Sequence, residues 1–112
     1  MTPSMDDCIG NCTDCHATCL SAVAHCLGGT AAHAQAGHIR LLLDCADICR
    51  TSADFMIRGS GFHHRTCGVC AEICTACAAQ CDRMADDPVM KRCAEMCRRC
   101  AESCRAMSTA TA

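Results

Sequence analysis

Cys67-Gly-Val-Cys70-Ala-Glu-Ile-Cys74-Thr-Ala-Cys77-Ala-Ala-Gln-Cys81 places five cysteines at alternating steps of three and four residues. At about 100° per residue the thiols stay within roughly an 80° arc, so the stretch reads as a helix with sulfur along one narrow stripe. A bundle helix normally carries Leu and Ile on that stripe. Here cysteine takes the place of the hydrophobic core.

The same spacing recurs on either side. Cys93, Cys97, Cys100 and Cys104 follow it downstream; Cys8, Cys12, Cys15, Cys19 and Cys26, then Cys45 and Cys49, follow it upstream. Gly28-Gly29, Gly59-Ser60-Gly61 and Asp86-Asp87-Pro88 separate four segments of about 20 residues, a length suited to bundle helices. No segment alternates with period two and β-branched residues are sparse, which excludes strands. Short connections make neighbouring helices antiparallel. The expected fold is all-α, an up-down-up-down four-helix bundle with a cysteine-lined core.

Helix-start chemistry agrees with these boundaries. Ser4 stands three residues before Asp7 in a capping-box pattern, and Asp87-Pro88 reads as N-cap and first helical position. Thr30 is placed to cap the second segment, although Gly37 weakens its first turn and regular helix is expected nearer Gln35. The whole chain, residues 1–112, reads as one domain, with 107–112 expected to fray.

Composition limits what else could fill the interior. Of the 51% hydrophobic content, 16 residues are Cys, and without them only roughly 37% is apolar, below the usual range. Trp and Tyr are absent, and Phe55 and Phe62 are the only aromatics. The net charge is -2, from 10 basic and 12 acidic residues that are interleaved. No basic patch or stacking aromatic points to nucleic acid, and no stretch approaches the ~20 apolar residues of a membrane span. With no leader-like pattern before Cys8, a cytosolic location is expected, where thiols stay reduced and dense cysteine favours metal chemistry over disulfides.

Single buried cysteines pack as small hydrophobes, but sixteen at core spacing would leave a loose interior. Structural zinc favours isolated sets of four, unlike a ladder without gaps. The ferredoxin run with its following Pro is missing, and a CxxC redox motif lacks its βαβ context. Cu(I) is soft, prefers thiolate and accepts sulfurs that bridge neighbouring metals. One Cu(I) per thiolate also leaves a neutral interior, which keeps desolvation cheap. Capacity on the order of ~16 Cu(I) follows if every thiolate bridges two metals. Pairs four apart, such as Cys8/Cys12, Cys15/Cys19, Cys45/Cys49, Cys93/Cys97 and Cys100/Cys104, are expected to put two sulfurs within reach of one near-linear ion.

Extending the stripes to the bundle ends brings Met5, Met56, His63 and Met107 together at one end, and Cys26, His38, Met90 and Met84 at the other. The methionines serve either as flexible core plugs or as soft ligands. His63 and His38 are in register with the stripes and are candidate ligands. His63 is expected to pass Cu(I) to Cys67. His16, His25, His33 and His64 are expected on the surface.

These residues resemble the cysteine-rich four-helix-bundle copper storage proteins of bacteria, in particular their cytosolic branch. The resemblance rests on Cys8-x3-Cys12-x2-Cys15-x3-Cys19, on His38-Ile-Arg-Leu-Leu-Leu-Asp-Cys45-Ala-Asp-Ile-Cys49, on Cys67 through Cys81, and on Cys93-x3-Cys97-x2-Cys100-x3-Cys104. It implies Cu(I) stored along the core and assembly into a homotetramer. Ile39, Leu43 and Ile57, expected to face away from the second cysteine stripe, suit such assembly. Ala22 and Val23 interrupt the ladder before Cys26. The competing reading is a copper chaperone or regulator that binds a few ions and passes them to a partner. No constellation of nucleophile, base and oxyanion donor points to an enzyme. The copper donor and acceptor are not legible.

Overall fold

The computed structural model describes residues 3–29 and 33–109, and among these the secondary structure is helical throughout: α1 Met5–Leu27, α2 Ala36–Ile57, α3 His63–Asp82 and α4 Pro88–Thr109. Each helix packs its backbone on its two neighbours around a square, α1 on α2 and α4, and α3 on α2 and α4, so that among the described residues only side chains meet across the diagonals. The molecule is correspondingly long and narrow, 45 × 24 × 17 Å.

Local chemistry sets the helix ends. Asp7 N–H donates to Ser4 Oγ at 3.1 Å while Ser4 N–H donates to the Asp7 carboxylate at 3.1 Å, completing the capping box. Val89 N–H donates to Asp87 Oδ1 at 2.9 Å, so Asp87 satisfies a free donor at the start of α4. Helix α2 begins at Ala36 with Gln35 at its N-cap and no side-chain bond there. The expected Thr30 cap lies outside the described residues. At the end of α2 the chain turns through Gly59 at φ 67°, a left-handed conformation that favours glycine. Helix α4 continues to Thr109 with Met107 buried, and residues 110–112 of the tail expected to fray lie outside the described set.

The interior is made of sulfur, alanine and a few larger side chains. All 16 cysteines are buried, accompanied by Ala22, Ala46, Ala94 and Ala101. Leu42, Met56, Met90, Met96 and Met107 supply most of the remaining bulk. Leu43 and Ile57 are exposed as expected, whereas Ile39 packs partly against the core.

Candidate metal centre

The four helices bring their thiols onto one axis, where sulfurs from different helices interdigitate. At the end formed by the start of α1 and the end of α4, Cys8 and Cys104 lie 3.6 Å apart, Cys12 and Cys104 3.4 Å, and Cys12 and Cys100 3.7 Å. At mid-height Cys45 and Cys49 each approach Cys74 to 3.6 Å, and Cys49 stands 3.7 Å from Cys70 and 3.8 Å from Cys100. Cys15, Cys19, Cys45 and Cys97 come next, at 3.9 to 4.0 Å in the five close pairs among them.

Among the described residues, five groups have ligand atoms close enough to share an ion. They are Cys8/Cys67/Cys104, Cys12/Cys70/Cys100/Cys104, Cys15/Cys49/Cys74/Cys100, Cys15/Cys19/Cys45/Cys97 and Cys19/Cys77/Cys93/Cys97. Each successive pair of groups has at least one cysteine in common: Cys104, then Cys100, then Cys15, then Cys19 with Cys97. The column is therefore a chain of overlapping sets, and the metals it could hold are joined through common sulfur.

The pairs four apart on one helix are only part of this pattern. Cys15/Cys19 and Cys100/Cys104 stand at 4.0 Å and Cys70/Cys74 at 3.7 Å, but the shortest separations run between helices. Helical spacing could not show this, because it fixes the stripe on each helix and leaves open how facing stripes mesh.

Neighbouring thiols also tune one another. The hydrogen bond from Cys19 is the largest influence holding Cys93 down at about 5, and the bond from Cys104 chiefly holds Cys100 at about 7. Cys26, beyond the last set, is pushed up by burial and then by the Asp87 charge. Its Sγ donates to Met90 Sδ at 3.8 Å. Part of the column is thus ready to bind as thiolate, whereas Cys26 gives up its proton less readily.

Cys26, Cys81, His38 and His63 belong to none of the five sets. His38 is nevertheless buried, 2% exposed, with no hydrogen-bond partner for either ring nitrogen among the described residues. Burial pushes its pKa down while the Cys77 and Cys93 charges oppose that shift, so the ring stays neutral with a free lone pair. His63 at the opposite end is half-buried, its Nδ1 donating to the Ser60 carbonyl at 2.8 Å, which leaves Nε2 as the donor atom for a metal. Met56, Met90 and Met107 are buried, while Met5 and Met84 are half-buried against the core.

Among the histidines expected on the surface, His25 is exposed and bonds Asp87 at 2.7 Å. The other three are half-buried, a correction to that expectation. His16 Nδ1 donates to the Ala46 carbonyl at 2.8 Å, tying α1 to α2; His33 stands 3.3 Å from Asp87, and His64 packs edge-on against His63.

Three residues of the column escaped sequence reading. Ser52 continues the α2 stripe where another cysteine could stand, and its buried Oγ has no partner among the described residues. Ser103 donates to the Cys100 carbonyl at 3.2 Å and accepts from Asn11 Nδ2 at 3.1 Å. Leu42 fills the α2 stripe between His38 and Cys45. The three-four spacing 38, 42, 45, 49, 52, 56 was the signal available for Leu42 and Ser52.

Comparison with known proteins agrees with this geometry. The family model described as copper storage protein matches residues 1–109. A protein of Nitrosospira multiformis of known structure is 46% identical, with 93% of this chain and 94% of that one covered at a TM-score of 0.87. The Cu(I)-bound copper storage protein 3 of Bacillus subtilis is 38% identical, covering 93% and 97% at a TM-score of 0.87. A cytosolic copper storage protein of Streptomyces lividans, described with five coppers, is 29% identical, covering 96% and 94% at a TM-score of 0.89.

Proposed function

The chain belongs to the copper storage protein family, and from that premise we propose that it stores many Cu(I) ions in the cytosol along its thiolate column. The observation that carries this reading is the overlap of the sets: Cys100, Cys15, Cys19 and Cys97 each serve two neighbouring four-sulfur groups. Isolated ions would leave much of the column unused, whereas a soft monovalent ion bound by bridging thiolates uses all of it and keeps its charge near zero. Copper ions are the cargo, and the protein has no catalytic role.

Burial supports storage over transfer. A chaperone that passes single ions to a partner presents an exposed, exchangeable pair of ligands, and here all 16 thiols are buried. At the ends of the column, His63 with Met5, Met56 and Met107 receives Cu(I) and passes it to Cys67, while His38 with Cys26, Met84 and Met90 closes the other end. Four bundles assemble as a homotetramer through outward apolar residues such as Leu43 and Ile57.

Anaerobic titration of the reduced protein with Cu(I) against a competing chelator tests the reading. Tight uptake on the order of ~16 ions, with roughly one proton released per ion, is expected. Saturation at four or fewer ions removes storage in favour of transfer. Unchanged loading kinetics in His63→Ala remove the role given to that end.

A further inference from the structure

The set Cys15/Cys19/Cys45/Cys97 has a geometry that Cu(I) does not require. Cys15 lies 4.0 Å from Cys19, 4.0 Å from Cys45 and 3.9 Å from Cys97, while Cys97 lies 3.9 Å from both Cys19 and Cys45. Five of the six edges are therefore nearly equal, and the sixth, between Cys19 and Cys45, is within 4.8 Å. A regular tetrahedron with such edges has its centre about 2.4 Å from each vertex, close to the ~2.3 Å of a zinc–thiolate bond. Cu(I) in two- or three-coordinate sites makes no use of a fourth equivalent sulfur.

We propose that the copper-free bundle is also a binding protein for thiophilic divalent ions such as Zn(II), with its tightest site at Cys15, Cys19, Cys45 and Cys97. The inference stands apart from the copper reading, because it rests on tetrahedral shape in place of bridging. Binding moves no electrons. Four thiols lose their protons to solvent, four sulfur lone pairs fill the coordination sphere, and the site carries a charge of minus two.

Overlap then sets the capacity. Without shared sulfur, the group Cys12/Cys70/Cys100/Cys104 is the one remaining tetrad that can be filled beside the first, since the other two each need Cys15, Cys19 or Cys97. Its known edges, 3.4, 3.7 and 4.0 Å, also bracket the ~3.8 Å edge of a zinc tetrathiolate. Such a protein takes up two divalent ions, joining α1 to α2 and α4 through one and α1 to α3 and α4 through the other.

The test is anaerobic titration of the reduced, copper-free protein with Co(II), followed by displacement with Zn(II) against a chromophoric chelator. Intense tetrahedral Co(II)–thiolate bands that saturate at two ions per chain are expected. Cys45→Ser, which removes a ligand found only in the first tetrad, weakens the first equivalent at least tenfold; Cys67→Ser, which belongs to no tetrad, leaves it unchanged. Weak octahedral bands, saturation beyond two ions with full tetrathiolate character, or a Cys45→Ser titration matching the parent would each overturn the proposal. Because no copper is present, none of these results bears on Cu(I) storage.

Discussion

Cys12 on α1 and Cys104 on α4 hold their sulfurs 3.4 Å apart although 92 residues separate them. Cys104 also approaches Cys8 to 3.6 Å and belongs to two of the overlapping sets, the triad with Cys8 and Cys67 and the tetrad with Cys12, Cys70 and Cys100. Its replacement breaks the column where two groups join. Cys104→Ser is expected to lower Cu(I) capacity by about two ions, against about one for Cys26→Ser, which lies in no set. Chelator competition on the two variants side by side measures the difference.

Ser52 occupies a stripe position with a buried hydroxyl that has no partner among the described residues. A buried unsatisfied group costs about 1–3 kcal/mol. Ser52→Ala should therefore raise the stability of the copper-free protein by about 1 kcal/mol, seen as a higher denaturant midpoint. Ser52→Cys should keep the fold and extend the α2 ladder, adding about one Cu(I) per chain in the same titration.

Leu42 is fully buried and is the one Leu in the core. Thiols and alanines around it have little bulk with which to close a void. Leu42→Ala is expected to cost the copper-free protein about 2–5 kcal/mol in chemical denaturation. Copper loading should recover part of this loss, because ligand binding to the native state adds to its stability.

Burial pushes the pKa of His38 below its ordinary value. A group with a lowered folded pKa adds stability above its unfolded pKa, ~6.5 for His, and loses it as the pH falls toward the folded value. The copper-free protein should therefore unfold more readily at pH ~5.5 than at pH ~7.5, and His38→Gln should flatten that dependence. Denaturant midpoints measured at the two pH values decide the matter.

The fold was legible because its signal is local. Steps of three and four put each helix's cysteines on one face, and Gly28-Gly29, Gly59 and Asp87-Pro88 mark where helices stop and start. The candidate ligands were legible for the same reason, and every cysteine on a stripe is buried. Leu42 and Ser52 were not singled out although they share the α2 spacing, because neither carries the thiol that made the other positions conspicuous. The half-burial of His16 was hidden as well, since it depends on the Ala46 carbonyl of a neighbouring helix.

By itself the sequence determined four helices, the sulfur-bearing face of each and the softness of the ions they suit, because helical periodicity and ligand chemistry are properties of residue type and spacing. Only the tertiary structure decided which sulfurs meet. Meshing depends on the axial offset and rotation of each helix against its neighbours, and those follow from packing around Leu42, Met90 and the core alanines. A shift of one helix by a single turn, about 5.4 Å, would preserve every stripe yet separate Cys15, Cys45 and Cys97, whose sulfurs stand 3.9 to 4.0 Å apart.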